Sequence, residues 1–530
     1  MKHTTQGRTG TIALPRPRTK AKHNQKDNDA RSRTIAMHAR RAHAAATEAR
    51  PSETNGMVGL GVSAPSHVQG RKAERGKTPH VLVAGGGIGG LCLAIALQNR
   101  GVDVTVFERV KEYRPFGGPI QLQSNALGAL EAIDPELAQD VIANGVVTGD
   151  RINGMLDGKS GEWYFKFDTR EPAVKHGLPL TIVINRYTLL DLLTARLKPG
   201  VLQTGKEVIA YAQNEGVVRA QLADGTDVLG DALVACDGIH SKIRAQMKGS
   251  GDPPAYSGFT VYTATCNYQP ADVEEVGYQV FLGYNKYFVS SDVGGGQAQW
   301  YAFHAEPAGG SDEGCMKQRV AELFEEFCPA VQDRIEATVA KDIERRDIFD
   351  RIPTMSWVDG NVALLGDAAH AMQPNLGQGG GQAIEDAFVL SQRIAGCDSL
   401  AHIPVALHSY SYQRMGRAAT VAGLSRMASF MTTTYRRYLG ENPHGFYKHV
   451  PGLLPMWKKI EDLRVPHPGR VIGQIAMMSS MQSVLEYVAA GVSLPPEDRI
   501  PYCQLPGVAV PRRNIPKSKW MLRGLPGFAK

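Results

Sequence analysis

The sequence predicts an α/β fold in which a three-layer, doubly wound domain is interleaved with a mixed-sheet domain and followed by C-terminal helices. Three observations predict it. A strand, a glycine-rich turn, a helix and a second strand follow one another between residues 80 and 108. Two more strand-to-helix crossings with polar glycine turns come at 232–244 and 361–390. Between those two lies an aromatic run of alternating character, 278–303.

The first unit begins with His80-Val-Leu-Val-Ala84, an apolar run of buried-strand type. It enters Gly85-Gly86-Gly87-Ile88-Gly89-Gly90, and Leu91 to Arg100 then has the Ala/Leu content of a helix. Val102 to Phe107 is a second strand, ending at Glu108. In this G-x-G-x-x-G arrangement Gly85 permits a tight turn, Gly87 the close approach of a pyrophosphate, and Gly90 close packing of helix on strand. Glu108 is placed to accept hydrogen bonds from a ribose diol, the bland alternative being a solvated strand-end carboxylate. The unit predicts a site for the adenosine half of a dinucleotide and does not distinguish FAD from NAD.

The second crossing runs from Ala232-Leu-Val-Ala-Cys236 into Asp237-Gly238 and a helix start near Lys242. Alone, Asp-Gly is an ordinary turn. The third runs from Asn361-Val-Ala-Leu-Leu365 into Gly366-Asp367, through Pro374 and Gly377 to Gly380, and into a helix that includes Ala383 to Leu390. A ligand there meets a helix N-terminus, whose free N–H groups and dipole suit an anion or the developing charge of a reduced isoalloxazine ring. The alternative is a glycine turn that lets a helix pack closely. A nicotinamide dehydrogenase needs only the first motif, so a further strand-to-helix site about 280 residues later favours a Rossmann-like FAD-binding domain. His370 lies in the same loop, where a lone histidine is more often a structural hydrogen-bonder, and it is assigned no catalysis.

The 530-residue chain is 43% hydrophobic and 21% charged, within the range of a globular enzyme of two or three domains. Its net charge of +7 is unevenly placed. Residues 1–80 hold 16 of the 59 Lys and Arg and 5 of the 52 Asp and Glu, leaving 43 basic and 47 acidic residues for the rest. The body is slightly acidic, which argues against a nucleic-acid partner. The basic leader, 1–79, lacks the apolar core of a secretory signal and is similar to an organelle transit peptide, the alternative being a solvated tail. Seven cysteines (Cys92, Cys236, Cys266, Cys315, Cys328, Cys397, Cys503) never occur as Cys-x-x-Cys, so neither a metal site nor a disulfide framework is expected. No apolar run reaches membrane-span length, so membrane contact is expected to be peripheral.

With the three motifs in this order, the chain resembles the single-component FAD-dependent monooxygenases of the aromatic-hydroxylase type. The segments Gly117 to Leu127, Thr148 to Gly154, Tyr287 to Val293 and Gln299 to His304 narrow the resemblance to the zeaxanthin epoxidases of plastids, over about residues 80–400. The resemblance implies that Gly85, Gly87 and Gly90 hold the FAD pyrophosphate and Glu108 the adenosine ribose, with Arg109 also among the cofactor-binding residues. It further implies that Arg186, in the strand-like Ile182 to Arg186, contacts FAD and that Asp237 and Gly238 serve FAD and reduced nicotinamide. Asp367 would bond the ribitol, while Pro374, Gly377, Gly379 and Gly380 line the ring.

The implied reaction is epoxidation of the end-ring double bonds of zeaxanthin, through antheraxanthin to violaxanthin, by a C4a-hydroperoxyflavin. It belongs to the xanthophyll cycle and to carotenoid and abscisic acid precursor biosynthesis. NADPH is the electron source, with ferredoxin a candidate carrier, and O₂ is the co-substrate. No catalytic side chain and no metal are expected, because the flavin carries the chemistry. The implied location is the chloroplast, peripheral to the thylakoid membrane. Plant epoxidases continue into a forkhead-associated domain, whereas a basic, Pro-rich tail, 501–530, stands here, so phosphothreonine-dependent partners are not expected. A plastid flavin-dependent isoprenoid reductase and an inactive carotenoid-binding flavoprotein are the rival readings.

The expected FAD-binding segments are 80–155, 181–255 and 346–403, and the expected substrate-domain segments are 156–180 and 256–345. Of the aromatics Tyr278, Phe281, Tyr284, Tyr287, Phe288, Trp300, Tyr301 and Phe303, most are expected in sheet core and a minority in a substrate tunnel. A helical region, 404–500, carries Leu453, Leu454, Met456, Trp457, Ile472, Ile475, Met477, Met478, Met481, Val484 and Leu485. These are expected mainly as core. The sharper reading rests part of that region on the membrane, with Lys458, Lys459 and Arg464 near headgroups.

Overall fold

Three short segments, Val81 to Ala84, Ala232–Ala235 and Val362–Leu364, are apolar without alternation, and each is buried throughout. Such runs suit strands covered on both faces, as in a parallel sheet. In the computed structural model, which describes residues 78–113, 118–249, 252–312, 314–439, 484, 487, 488 and 491, they are adjacent parallel strands. The six-stranded sheet runs Val358–Asp359, Val362–Leu364, Ala232–Ala235, His80–Ala84, Asp103–Glu108, Leu202–Thr204. Leu82 pairs with Thr105 on one side and Leu233 on the other, and Ala235 pairs with Leu364. The carboxyl ends of three neighbouring strands therefore lie side by side. The ladder even continues past them, with Cys236 N–H bonded to the Ala84 carbonyl and Leu365 N–H to that of Ala235.

Two of these loops lead into helices Ile88–Asn99 and Gly379–Ala395. The helices pack close because glycine lies between them: a Cβ on Gly89 would stand 3.1 Å from the Ala383 Cβ and 2.8 Å from Leu365. A three-stranded meander, Val208–Asn214, Val217–Leu222 and Asp227–Gly230, packs into the same core, with Gly230 against Leu82.

The second sheet has seven strands in the order Glu344–Asp350, Ala255–Cys266, Gln297–Ala305, Lys286–Gly294, Val276–Gly283, Ile152–Asp157, Trp163–Phe167. All neighbours are antiparallel except Val276–Gly283 with Ile152–Asp157, so the sheet is mixed as expected. Strand alternation divides its aromatics. Phe281, Phe288 and Trp300 face helices Met316–Leu323 and Pro329–Glu336, with Phe288 stacked on Trp300 at 5.4 Å. Tyr278, Tyr287, Tyr301 and Phe303 take the opposite face and Tyr284 is exposed, so half of the eight rather than a minority face the cavity described below.

Two expected boundaries cut strands. The crossing at 155/156 falls inside Ile152–Asp157; the strand needs glycine at Gly154, since a Cβ there would lie 2.4 Å from the Phe165 carbonyl oxygen. The crossing at 345/346 falls inside Glu344–Asp350, an edge strand whose charged residues carry no apolar alternation.

Helix Ile403–Leu439 joins the two sheets. Tyr410 donates to the Leu364 carbonyl at 3.0 Å, and both Asp350 oxygens accept from Arg426 at 2.6 and 2.8 Å. Further along the chain, Val484 and Val488 are buried against Leu376 and Ala428. The other C-terminal residues named above, the leader to residue 77 and the tail lie outside the described residues.

Candidate active site

Each glycine of the first turn has a separate steric task. Gly85 has φ of +108°, and a Cβ there would lie 2.4 Å from the Cys236 carbonyl oxygen. A Cβ on Gly90 would lie 2.0 Å from the Gly85 carbonyl oxygen, so this glycine lets helix meet strand. Gly87 differs: its φ is −75° and a Cβ would meet nothing within 4 Å. The space in front of Gly87 is open. Glu108 sits behind the turn, where its carboxylate accepts from Gly86 N–H at 2.7 Å and Val110 N–H at 3.0 Å. Arg109 is exposed and does not line the cavity.

Two helix N-termini converge on one space. Neither Ile88–Asn99 nor Gly379–Ala395 has a side-chain N-cap or an acid in its first turn, so their leading N–H groups and dipoles are uncompensated. A Cβ on Gly380 would lie 3.9 Å from the Ile88 side chain, and one on Gly379 3.9 Å from Asp367 Oδ1. Asp367 is exposed to this space rather than packed away from it. Partial desolvation by the surrounding walls raises its carboxyl pKa, opposed by the charges of His370 and Arg186.

The space is a 480 Å³ cavity. Gly87, Arg186, Gly238 and Asp367 line it, together with Pro374, Gly377, Gly379 and Gly380. Gly85, Gly90, Glu108 and Asp237 do not line it. Arg186 is not in a strand as expected: Ile182–Ile184 ends early, Asn185 caps by accepting from Tyr187 N–H, and Arg186 opens helix Arg186–Ala195. Asp237 accepts from Lys242 N–H at 2.9 Å, at the start of helix Lys242–Lys248, whose cap is Ser241, while its Oδ1 stays buried and without a hydrogen-bond partner among the described residues. Burial pushes its carboxyl pKa up against those hydrogen bonds. Opposite the glycines the cavity is apolar, walled by Met155, Phe167, Val280, Val289 and Phe303 of the seven-stranded sheet.

Behind the glycine wall lies a polar network that the sequence analysis missed. Asp386 accepts from Gly366 N–H at 3.1 Å, from His370 Nε2 at 2.6 Å and from Arg414 Nε at 2.7 Å. His370 is thus a buried structural hydrogen-bonder. Glu385 is held by Arg414, by both Nε and Nη2 of Arg417, and by Asn125 at 2.7 Å. Gln378 links Asn125 and Gln123, and Gln123 donates to the Leu376 carbonyl. Glu385, Asp386 and Arg414 have side chains with no exposure. One signal was present in sequence: two adjacent acids inside the apolar helix Ala383 to Leu390, with arginines three apart at 414 and 417.

The arrangement of open glycine surface, uncapped helix starts and a carboxylate facing the cavity suits a dinucleotide with a polar ring edge. Residues 78–424 match the model of a family described as an FAD binding domain. The chain belongs to that FAD-binding family. It is 47% identical over 453 residues to chloroplastic zeaxanthin epoxidase of Spinacia oleracea, covering 83% of this chain and 65% of the relative. It is 43% identical over 472 residues to the Prunus armeniaca enzyme of the same name, covering 87% of this chain and 68% of that relative. The chain therefore spans a little under two thirds of the spinach relative's length. The Klebsiella pneumoniae HpxO structure with FAD and uric acid shares the fold, with a TM-score of 0.64 and 24% identity over 78% of this chain and 98% of that one.

The steric contrast within the glycine turn yields an expected result. Gly87→Ala folds normally, since its Cβ meets no protein atom and its φ is ordinary, but its methyl enters the open cofactor space and lowers FAD retention. Gly90→Ala loses about 3 kcal/mol of stability, because backbone at 2.0 Å cannot rotate away. Urea unfolding of the two apoproteins, with flavin titration of each, checks the contrast; equal unfolding midpoints would contradict it.

Proposed function

We propose that this chain is an FAD-dependent monooxygenase that epoxidises the end-ring double bonds of zeaxanthin, first to antheraxanthin and then to violaxanthin. One observation carries the reading: a single cavity has two uncapped helix starts and Asp367 on one side and an apolar sheet face on the other. That pairing suits a redox ring held beside a hydrocarbon ring, and the names of the plant relatives support the choice of substrate.

In this reading Gly85, Gly87 and Gly90 admit the FAD pyrophosphate to the N–H groups at Ile88, and Glu108 accepts from the adenosine ribose beside Arg109. Arg186, Asp237 and Gly238 flank the cofactor, and Asp367 accepts from the ribitol. Pro374, Gly377, Gly379 and Gly380 bound the ring, and the start of Gly379–Ala395 offers N–H groups to negative charge on it. When bound and reduced, FAD supplies the activation of O₂ and delivery of one oxygen atom, with electrons from NADPH and ferredoxin as a candidate carrier. The wall of Met155, Phe167, Val280 and Phe303 excludes water and positions the alkene.

The test is incubation of FAD-loaded protein with zeaxanthin in lipid, NADPH, ferredoxin and its reductase under labelled O₂. The expected product is a labelled mono-epoxide followed by a di-epoxide. Oxygen-independent loss of a double bond would identify an isoprenoid reductase instead, and absence of NADPH-driven flavin reduction an inactive carotenoid carrier.

The proposed site of action is the plastid, at the thylakoid surface. Among the described residues no helix is long and apolar enough to cross a membrane, while Val405 and Tyr412, seven residues apart on helix Ile403–Leu439, are 67% and 77% exposed. Co-sedimentation with thylakoid-lipid liposomes tests the contact, and protein left entirely in the supernatant would exclude it.

A further inference from the structure

Three tyrosine hydroxyls lie on the apolar side of the cavity, and two are committed. Tyr301 donates to the Pro119 carbonyl at 2.9 Å, tying the sheet to the loop before Ile120. Tyr287 accepts from Asn375 Nδ2 at 2.8 Å, tying the sheet to the loop that precedes Gly379. The Tyr278 hydroxyl has no hydrogen-bond partner among the described residues. Burial, with the neighbouring Tyr301, holds its pKa well above the ordinary value, so it remains a donor.

Beside it stands an acceptor. Tyr278 and Asn153 are register partners on adjacent parallel strands, so their side chains share the cavity face. Asn153 Nδ2 donates toward the carbonyls of Thr148 at 3.3 Å and Arg151 at 3.0 Å, and toward Thr169 Oγ1 at 3.2 Å. Those contacts fix the amide orientation. Its Oδ1 is left without a partner among the described residues.

A residue with a free donor and one with a free acceptor thus neighbour each other on adjacent strands of a wall that also carries Met155, Phe167, Val280 and Val289. An alcohol satisfies both, accepting from Tyr278 and donating to Asn153. A ketone leaves Asn153 unmatched, and a hydrocarbon leaves both unmatched in a buried place. We propose that Tyr278 and Asn153 form the specificity-determining pair that reads a hydroxyl on the substrate's end ring. This deepens the epoxidase reading and rests on it for the identity of the substrate.

The test uses full-length, FAD-loaded protein and Tyr278→Phe, which removes one hydroxyl and preserves the ring volume. Binding of 3-hydroxy-β-ionone and of β-ionone is followed by flavin fluorescence. Epoxidation is followed with a carotenoid that carries one hydroxylated and one plain end ring. The unaltered protein is expected to prefer the hydroxylated ring by roughly 10- to 100-fold in both assays, and Tyr278→Phe to bring the ratio toward one with FAD content retained. An unchanged ratio in the variant, or no preference before substitution, overturns the pair. If neither ring is epoxidised yet the binding preference exists and falls in Tyr278→Phe, the epoxidase reading fails and the alcohol site stands.

Discussion

Asp367→Ala is expected to purify with little FAD and to bind added FAD roughly 100-fold more weakly, because hydrogen bonds to a charged acceptor are worth about 1.5–3 kcal/mol each. The carboxylate lines the cavity beside the start of helix Gly379–Ala395 and faces whatever occupies it. Asp367→Asn, which keeps one acceptor oxygen, should fall between the two. The ratio of flavin to protein absorbance after purification, followed by titration of the apoprotein, reads both. Full flavin content in Asp367→Ala would remove this residue from the cofactor site. The apoprotein itself should be about as stable as the unaltered one, since the Asp367 side chain is exposed to the cavity.

Arg414→Met should be the most destabilising single change, by about 3–5 kcal/mol, because it leaves Glu385 and Asp386 buried without their shared cation. The loss depends on pH in a direction set by the carboxyls. Burial alone would raise both; for Glu385 the arginines 414 and 417 outweigh it, and for Asp386 His370 and Arg414 do, so both stay below their ordinary values. Groups depressed in the folded state stabilise it above their unfolded pKa, near 4, and that contribution is lost as pH falls through the folded pKa. In Arg414→Met burial is less opposed and the folded values rise, so acid relieves the strain. The stability gap between the two proteins should narrow below about pH 5. Urea unfolding at pH 7.5 and pH 4 measures it, and a constant gap would mean the cluster is not ionised. Since Asp386 also holds Gly366 N–H, the variant should lose flavin as well.

The parts of this site that were legible in sequence are those in which a single residue type answers a local geometric demand. Gly85, Gly87 and Gly90 are separated by turn, open space and packing, and their spacing along the chain announces all three tasks. The three strand ends were legible for the same reason, as apolar runs stopped by polar glycine turns. Arg186 came only from family resemblance, because nothing local marks the first residue of a helix as facing a cavity. The network of Asn125, Gln378, Glu385 and Arg414 was illegible because its members are brought together by tertiary packing across nearly 300 residues. Glu344–Asp350 escaped for a different reason: an edge strand held by backbone pairing needs no apolar pattern.

The order of the loops along the chain has a consequence for biogenesis. Gly85, Gly238 and Gly366 start from strands adjacent in space, yet the ribosome delivers them over about 280 residues, with the whole seven-stranded sheet made in between. Closing the pocket therefore carries the entropic cost of long-range pairing, and a nascent chain lacking residues beyond Gly366 has only part of a cofactor site. Flavin loading must come after synthesis of the whole core. Because FAD binds the folded state in preference to the unfolded one, its free concentration in the compartment where the chain matures sets how much of the protein persists.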